Sequence, residues 1–201
     1  MRLSELMRGE GGIVSIAPPG DPEIRGLSLD SRRVEPGFAF AALPGTKTDG
    51  KKFVDDAVAR GAVVILTDDP KSYELLTRRA PPVTVVGDPD PRRRIGRMAA
   101  RFYQPQPATV AAVTGTNGKT SVTVFTRQLW QALGWPAASL GTIGIVAPGF
   151  TRGGSLTTPD PVTLHSELNA LAQGGIDHVA IEASSHGLDQ FRLDGIKPKA
   201  A

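Results

Sequence analysis

Cysteine is absent from the 201 residues, which excludes a disulfide framework and any Cys-ligated metal. No run approaches the ~18 consecutive apolar residues of a membrane-spanning helix. The start of the sequence is not expected to be a secretory leader. Met1-Arg2-Leu3-Ser4-Glu5-Leu6-Met7 is a charged, amphipathic start with no apolar segment behind it. Strong charge of one sign is also lacking, since the formal net charge is only +3. The single basic cluster, Arg92-Arg93-Arg94 with Arg97, reads as a solvated helix face rather than a nucleic-acid patch. There are no internal repeats and no low-complexity segment. What remains is 40% apolar and 21% charged, the balance of an ordinary soluble protein. The length is enough for one or two domains with real cores. A cytoplasmic, monomeric protein that binds neither nucleic acid nor membrane is the expectation.

The most informative stretch is Ala112-Val113-Thr114-Gly115-Thr116-Asn117-Gly118-Lys119-Thr120-Ser121. Thr109–Val113 is a short, apolar, β-branched run and predicts a buried strand. Residues 121–133 are free of Gly and Pro, place Val124, Leu129 and Leu133 on a helical period, and stop at Gly134. A glycine-rich turn between a strand and a helix leaves backbone N–H groups unpaired at a positive dipole end, which suits a phosphate. Lys119 adds a mobile charge for the terminal phosphates, and the Thr120 hydroxyl can hold Mg²⁺. The usual loop is G-x-x-x-x-G-K-[ST]. Here Val113 stands five before Gly118, so Gly115 to Thr120 forms a shortened variant. The competing explanation is a purely structural strand–helix turn, which the flanking strand and helix make less attractive.

Two blocks and a join organise the chain. In the first, 1–87, a short starting helix precedes strands at 26–29, 38–43, 63–66 and 83–86. Helices are predicted at 53–60, closed by Gly61, and at 72–79. This alternation predicts an α/β domain. Asp90 and Pro91 then open a helix to about residue 102, and Gln104-Pro105-Gln106-Pro107 is a rigid connector, so 88–107 reads as a linker. The second block, 108–201, carries the phosphate loop and its helix, then a strand at 137–142. A Gly-rich hairpin or loop follows over 144–154, a helix from Asp160-Pro161 to Gly174-Gly175, and a strand at 177–183. It reads as an incomplete P-loop (Rossmann-like) domain. Parallel nucleotide-binding sheets usually need five or more strands, and about three are counted here, so the chain is expected to be an N-terminal piece of something longer.

A second chemical cluster, Glu182-Ala183-Ser184-Ser185-His186-Gly187 with Gln190 and Arg192, falls at the end of an apolar strand, where open α/β sheets collect ligands. An unpaired charge at Glu182 would be costly there. A Mg²⁺ shared with Thr120 would account for it, and so would a buried arginine. Ala183 to Gly187 is also close to the G-x-S-x-G nucleophile elbow, yet no histidine follows His186 to complete a triad. Thr157 and Thr158 precede the third helix of this block as caps or as contacts to a second anionic ligand.

These motifs together resemble the Mur ligases. The likeness is carried by Gly115-Thr116-Asn117-Gly118-Lys119-Thr120, Leu156-Thr157-Thr158-Pro159 and Glu182 to Gly187, and it extends through Leu27-Ser28-Leu29-Asp30-Ser31-Arg32, Pro36-Gly37, Leu43-Pro44-Gly45 and Asp49-Gly50. It covers the whole chain and is greatest to the members that add the third amino acid. The resemblance implies a small N-terminal α/β UDP-binding domain ahead of the ATP-binding domain. It also implies an ATP- and Mg²⁺-dependent amide-bond ligase of peptidoglycan synthesis, working through an acyl phosphate, with a place in cell-wall biogenesis, cell shape and division. The partners implied are a UDP-MurNAc-dipeptide and an amino acid, meso-diaminopimelate or lysine. By position, Gly115, Thr116, Asn117, Gly118, Lys119, Thr120 and Ser121 would hold ATP. Thr120 and Glu182 would hold Mg²⁺, with Lys119 and Glu182 as the catalytic groups. Leu29, Ser31, Thr46, Lys47 and Thr48 would meet the UDP end of the substrate. Thr157, Thr158, Ser184, Gln190 and Arg192 would meet its muramyl-peptide part.

Thr46-Lys47-Thr48 departs from the His-Gln-Ala of some members, and Phe38 stands where an Asp is common. The resemblance implies that the family's later Asp-His-Leu-Asp motif, carbamylated lysine and amino-acid-binding domain would lie beyond residue 201, so the chain alone is expected to be inactive. Two alternatives stay open on sequence. One is a folylpolyglutamate-synthetase-like ligase, which shares the loop. The other is a non-catalytic fragment that binds nucleotide or UDP-sugar.

Overall fold

The computed structural model describes residues 1–9, 15–17, 20–45, 49–73, 82–154 and 156–201, and the chain divides into two units, Met1–Met98 and Ala99–Ala201.

In the first unit, helix α1 (Leu3–Leu6) and strand β1 (Ser15–Ala17) come first. They are followed by β2 (Gly26–Ser28), β3 (Phe38–Ala41), helix α2 (Val54–Ala59), β4 (Val64–Thr67) and β5 (Thr84–Gly87). The sheet order is β1-β5-β4-β3-β2. Strands β2 to β5 pair in parallel, and β1 joins β5 antiparallel. Parallel strands covered on both faces read as continuous apolar runs, and every residue of β4 and β5 is buried. Phe40, Val54, Ala57, Ile65 and Val85 form the core between the sheet and α2. The expected strands appear within a residue or two of their predicted ends. β1 was not foreseen, because Ser15-Ile16-Ala17 is too short to show a period. Most of the helix expected at 72–79 lies outside the described residues.

Helix α3 (Pro91–Phe102) starts at the expected proline. Its basic run is not simply a solvated face. Arg94 is 4% exposed and its Nε lies 2.5 Å from Asp88 Oδ2, while Arg92 donates to the Pro44 carbonyl. The run mixes faces because consecutive residues on a helix point about 100° apart.

The second unit holds β6 (Thr109–Val113), α4 (Lys119–Ala132), β7 (Ala137–Gly141), β8 (Gly144–Ala147), β9 (Phe150–Arg152), α5 (Pro161–Gln173), β10 (His178–Glu182) and α6 (Ser185–Asp189). The sheet order is β6-β10-β7-β8-β9. Its first three strands are parallel, and β7-β8-β9 is an antiparallel meander, so the Gly-rich stretch is a hairpin. On the free edge of β6, Lys199 donates to the Val110 carbonyl and the Ala200 carbonyl accepts from Ala112, making a parallel bridge between Ala111 and Ala200.

The two faces of this sheet differ. Val110, Ala138, Leu140, Val179 and Ile181 pack with Leu164, Leu168 and Leu171 of α5 in an aliphatic core. Strand alternation puts Ala111, Ala137, Ser139, Gly141, His178 and Ala180 on the other face, small or polar side chains under α4. His178 stacks there on Trp135, 4.9 Å between ring centroids, and meets the tilted ring of Trp130 at 5.3 Å. Helix α4 meets this face through Thr123, which is buried, with Val124, Arg127, Trp130 and Gln131 beside it. Of the three apolar residues on the helical period, Val124 is half-buried, while Leu129 is 66% and Leu133 64% exposed. Gly134, with φ +81°, ends the helix as expected.

Candidate functional site

The phosphate-loop sequence folds as its composition requires. β6 ends at Val113, and Gly115 and Gly118 take φ values of +140° and +81°, which favour glycine. Gly118 sits at the N-cap of α4 with no side chain capping the helix. Its first-turn N–H groups and positive dipole end are therefore available to an anion. Thr116 and Asn117 are exposed at the loop tip, Thr120 is half-buried in the first turn and Ser121 is exposed. Lys119 curls back so that Nζ donates to the Gly115 carbonyl at 2.6 Å and to that of Thr116 at 3.3 Å. The ammonium is thus folded onto the loop's own carbonyls.

Glu182 ends β10 directly beside Val113, the residue that feeds the loop. Its carboxylate is 1% exposed. No arginine or lysine pairs with it among the described residues, so the buried-arginine explanation fails. Thr142 holds both oxygens: its backbone N–H donates to Oε1 at 2.9 Å and its hydroxyl to Oε2 at 3.1 Å. Two hydrogen bonds to a charged group offset about 1.5–3 kcal/mol each, against a cost of several kcal/mol for burying an isolated ion. A carboxylate buried among neutral donors at the mouth of a phosphate loop has the chemistry of a divalent-cation ligand. The described residues contain no cluster of three or more acidic or His side chains able to hold a metal alone. Phosphate oxygens and the Thr120 hydroxyl would have to complete the shell.

The remaining residues of the cluster converge. Thr158, 1% exposed, donates from Oγ1 to the Glu182 carbonyl at 2.8 Å and lies 3.0 Å from Ser184 Oγ. Ser184 Oγ accepts from Gly187 N–H at 3.0 Å and so caps α6. Ser184 therefore serves as the cap, and the serine at the centre of the elbow-like run, Ser185, is the first residue of α6. A Cβ on Gly187 would stand 2.8 Å from Thr158 Cβ, which is why glycine follows His186. Arg192 donates to the Thr158 carbonyl at 2.6 Å and to Gln190 Oε1 at 2.7 Å. The Gln190 amide lies 3.0 Å from His186 Nε2; the amide must donate, so that ring nitrogen is unprotonated. Phe191 carries this turn at φ +53°, a strained value for a bulky residue. Thr157 and Thr158 do not cap α5. Asp160 does, accepting from Val162 and Thr163 N–H at 3.0 Å each.

In the first unit, Leu29 is half-buried and Ser31 opens a 3-10 turn capped by Asp30. The Ser31 hydroxyl and Arg60 beside it hold the Asp56 carboxyl below its usual range. Thr46, Lys47 and Thr48 lie outside the described residues. Thr142 and Gly141 escaped sequence reasoning. The only signal was a Gly-Thr pair at the carboxyl end of a strand.

The fold and the glycine loop define an α/β protein with a phosphate-loop nucleotide-binding unit of the Mur ligase type. Residues 113–201 match the family described as Mur ligase middle domain, and 23–103 match that described as Mur ligase family, catalytic domain. The chain belongs to the Mur ligase family. It is 53% identical over 201 residues to UDP-N-acetylmuramoyl-L-alanyl-D-glutamate--2,6-diaminopimelate ligase of Bradyrhizobium diazoefficiens, all of this chain matching 39% of that one. A solved structure of a ligase of the same name superposes with a TM-score of 0.74 at 32% identity, covering 88% of this chain and 35% of the other. A MurF ligase from Thermotoga maritima in complex with ADP shares the fold with a TM-score of 0.55 at 19% identity, over 87% of this chain and 36% of that one. The chain therefore spans about two fifths of the length of the relatives it matches, 39% in the Bradyrhizobium case.

Proposed function

We propose that this chain is the UDP-substrate- and ATP-binding part of a ligase that adds diaminopimelate to UDP-MurNAc-L-Ala-D-Glu in the cytoplasm. Residues 1–87 serve as the UDP-substrate domain, 88–107 as a linker, and 108–201 as the ATP-binding domain. The names of the relatives support diaminopimelate over lysine as the amino acid, and a sugar-nucleotide substrate over folate. The observation that carries the reading is the buried Glu182 carboxylate, paired with no Lys or Arg among the described residues, beside the strand that feeds the loop.

ATP, when bound with Mg²⁺, supplies the phosphoryl group that activates the substrate carboxylate as an acyl phosphate for attack by the amine. The chain's own part is positioning and charge neutralisation, which is most of what phosphoryl transfer asks of a protein. The loop N–H groups from Gly115 to Ser121 cradle the phosphates. Lys119 leaves the Gly115 and Thr116 carbonyls to meet the terminal phosphates. Thr120 and Glu182 would hold Mg²⁺. Thr157, Thr158, Ser184, Gln190 and Arg192 orient the muramyl-peptide end, and Leu29, Ser31 and the 46–48 turn the uridine end.

Titration of this chain with a fluorescent ADP in Mg²⁺ tests the reading. Lys119→Ala is expected to weaken binding by about tenfold or more, the loss of one charge-assisted phosphate contact, while leaving UDP binding unchanged. Equal ADP affinity in the two proteins would refute the loop assignment.

A further inference from the structure

The Glu182 side chain does not rest on its own strand. It leans across to the neighbouring strand end, where Gly141 and Thr142 receive it. A Cβ on Gly141 would fall 2.1 Å from Glu182 Oε1 and 2.5 Å from its Cδ, a separation that no pair of atoms tolerates. The absent side chain is therefore the space the carboxylate occupies. One residue on, Thr142 donates from its backbone to Oε1 and from its hydroxyl to Oε2. Both oxygens are thus held by a single residue, and each keeps a lone pair free.

Thr142 Oγ1 is also 3.1 Å from Thr157 Oγ1. A hydroxyl has one proton to donate, and that of Thr142 goes to the carboxylate. Thr157 must then donate to Thr142, and the chain of bonds runs Thr157 to Thr142 to Glu182. The charge at its end favours donation in that one sense. Thr142 itself is exposed, so its hydroxyl is not needed to fill a core.

From this geometry we infer that Gly141 and Thr142 are positioning residues. They clamp the Glu182 carboxylate in the orientation that receives the divalent cation, and they tie it to Thr157 on the substrate side. The inference rests on the proposed metal role of Glu182. Outer partners of a ligating carboxylate fix its direction and its basicity. A backbone N–H alone leaves Oε2 free to rotate away, and an alanine at 141 removes the space altogether.

Mn²⁺ affinity in the presence of ADP, read by electron paramagnetic resonance on this chain, provides the test. ADP affinity in EDTA and the urea midpoint serve as controls. Thr142→Val is expected to weaken Mn²⁺ by about 10–100-fold, the usual effect of deleting such a partner, with ADP affinity in EDTA and the urea midpoint little changed. Thr142→Ser is expected to restore the wild-type value, and Gly141→Ala to match Glu182→Gln. If Glu182→Gln weakens Mn²⁺ and Thr142→Val does not, the clamp is refuted while the metal role of Glu182 stands. If Thr142→Val lowers only the urea midpoint, the residue merely ties two strand ends and the inference is again refuted. A Glu182→Gln protein with unchanged Mn²⁺ affinity overturns the metal role and the clamp together.

Discussion

His165 lies on α5 with none of its surface exposed, and burial pushes its pKa below the usual value of 6.5. Its Nε2 is 3.0 Å from the Asp194 carbonyl and its Nδ1 is 2.9 Å from the Gln106 amide. The carbonyl needs a donor and the amide is one, so the ring is neutral with its proton on Nε2. A second proton on Nδ1 would face the Gln106 N–H. The unfolded chain therefore takes up a proton near pH 6.5 that the folded unit resists. Over the interval below 6.5 and down to the lowered folded pKa, U binds more protons than N, so stability falls as pH falls. The slope is at most about 1.4 kcal/mol per pH unit for one group. Above that interval the term vanishes.

His165→Gln removes this term. Replacing the ring also breaks its hydrogen bond to the Asp194 carbonyl, at a cost of about 1–3 kcal/mol. The Gln106 amide still has the Tyr103 carbonyl at 3.1 Å. Both tryptophans, Trp130 and Trp135, lie in the second unit, so urea unfolding followed by tryptophan emission reads that unit alone. The band position rather than the intensity should be followed, because both indoles flank His178. The wild type is expected to lose stability between pH 7 and 5 more steeply than the variant, the two curves converging toward acid. A difference between them that is constant over this range would refute the buried-neutral account.

Other substitutions follow from the same geometry. Asp160→Ala removes the acceptor for two N–H groups of α5 and is expected to cost about 0.5–2 kcal/mol in the same urea assay, with Asp160→Asn costing less. Leu129→Lys, on the outward side of α4, is expected to change stability by no more than about 0.5 kcal/mol; a loss of 2–5 kcal/mol, the value for a core leucine, would mean that the helix is turned the other way.

Much of this protein is legible in one dimension because its signals are local. Thr109–Val113 is a strand by its β-branched run, Gly115 and Gly118 are glycines because the turn needs positive φ, and α3 and α5 start where Asp and Pro precede an apolar period. The family motifs follow the same rule: each is a few consecutive residues at one loop or strand end, and no contact map is needed to read them. Three features depended on neighbours far along the chain. Leu129 and Leu133 of α4 face outward, away from a sheet face of small and polar side chains supplied by β7 and β10, and a helical period alone cannot say which face is covered. Arg94 is a core residue because Asp88 meets it there, whereas its neighbour Arg93 in the same run is exposed. Glu182 finds its partner 40 residues away at Thr142. Those two residues meet only because β10 inserts between β6 and β7, so the hydrogen bonds that fix the carboxylate exist only once the sheet has closed.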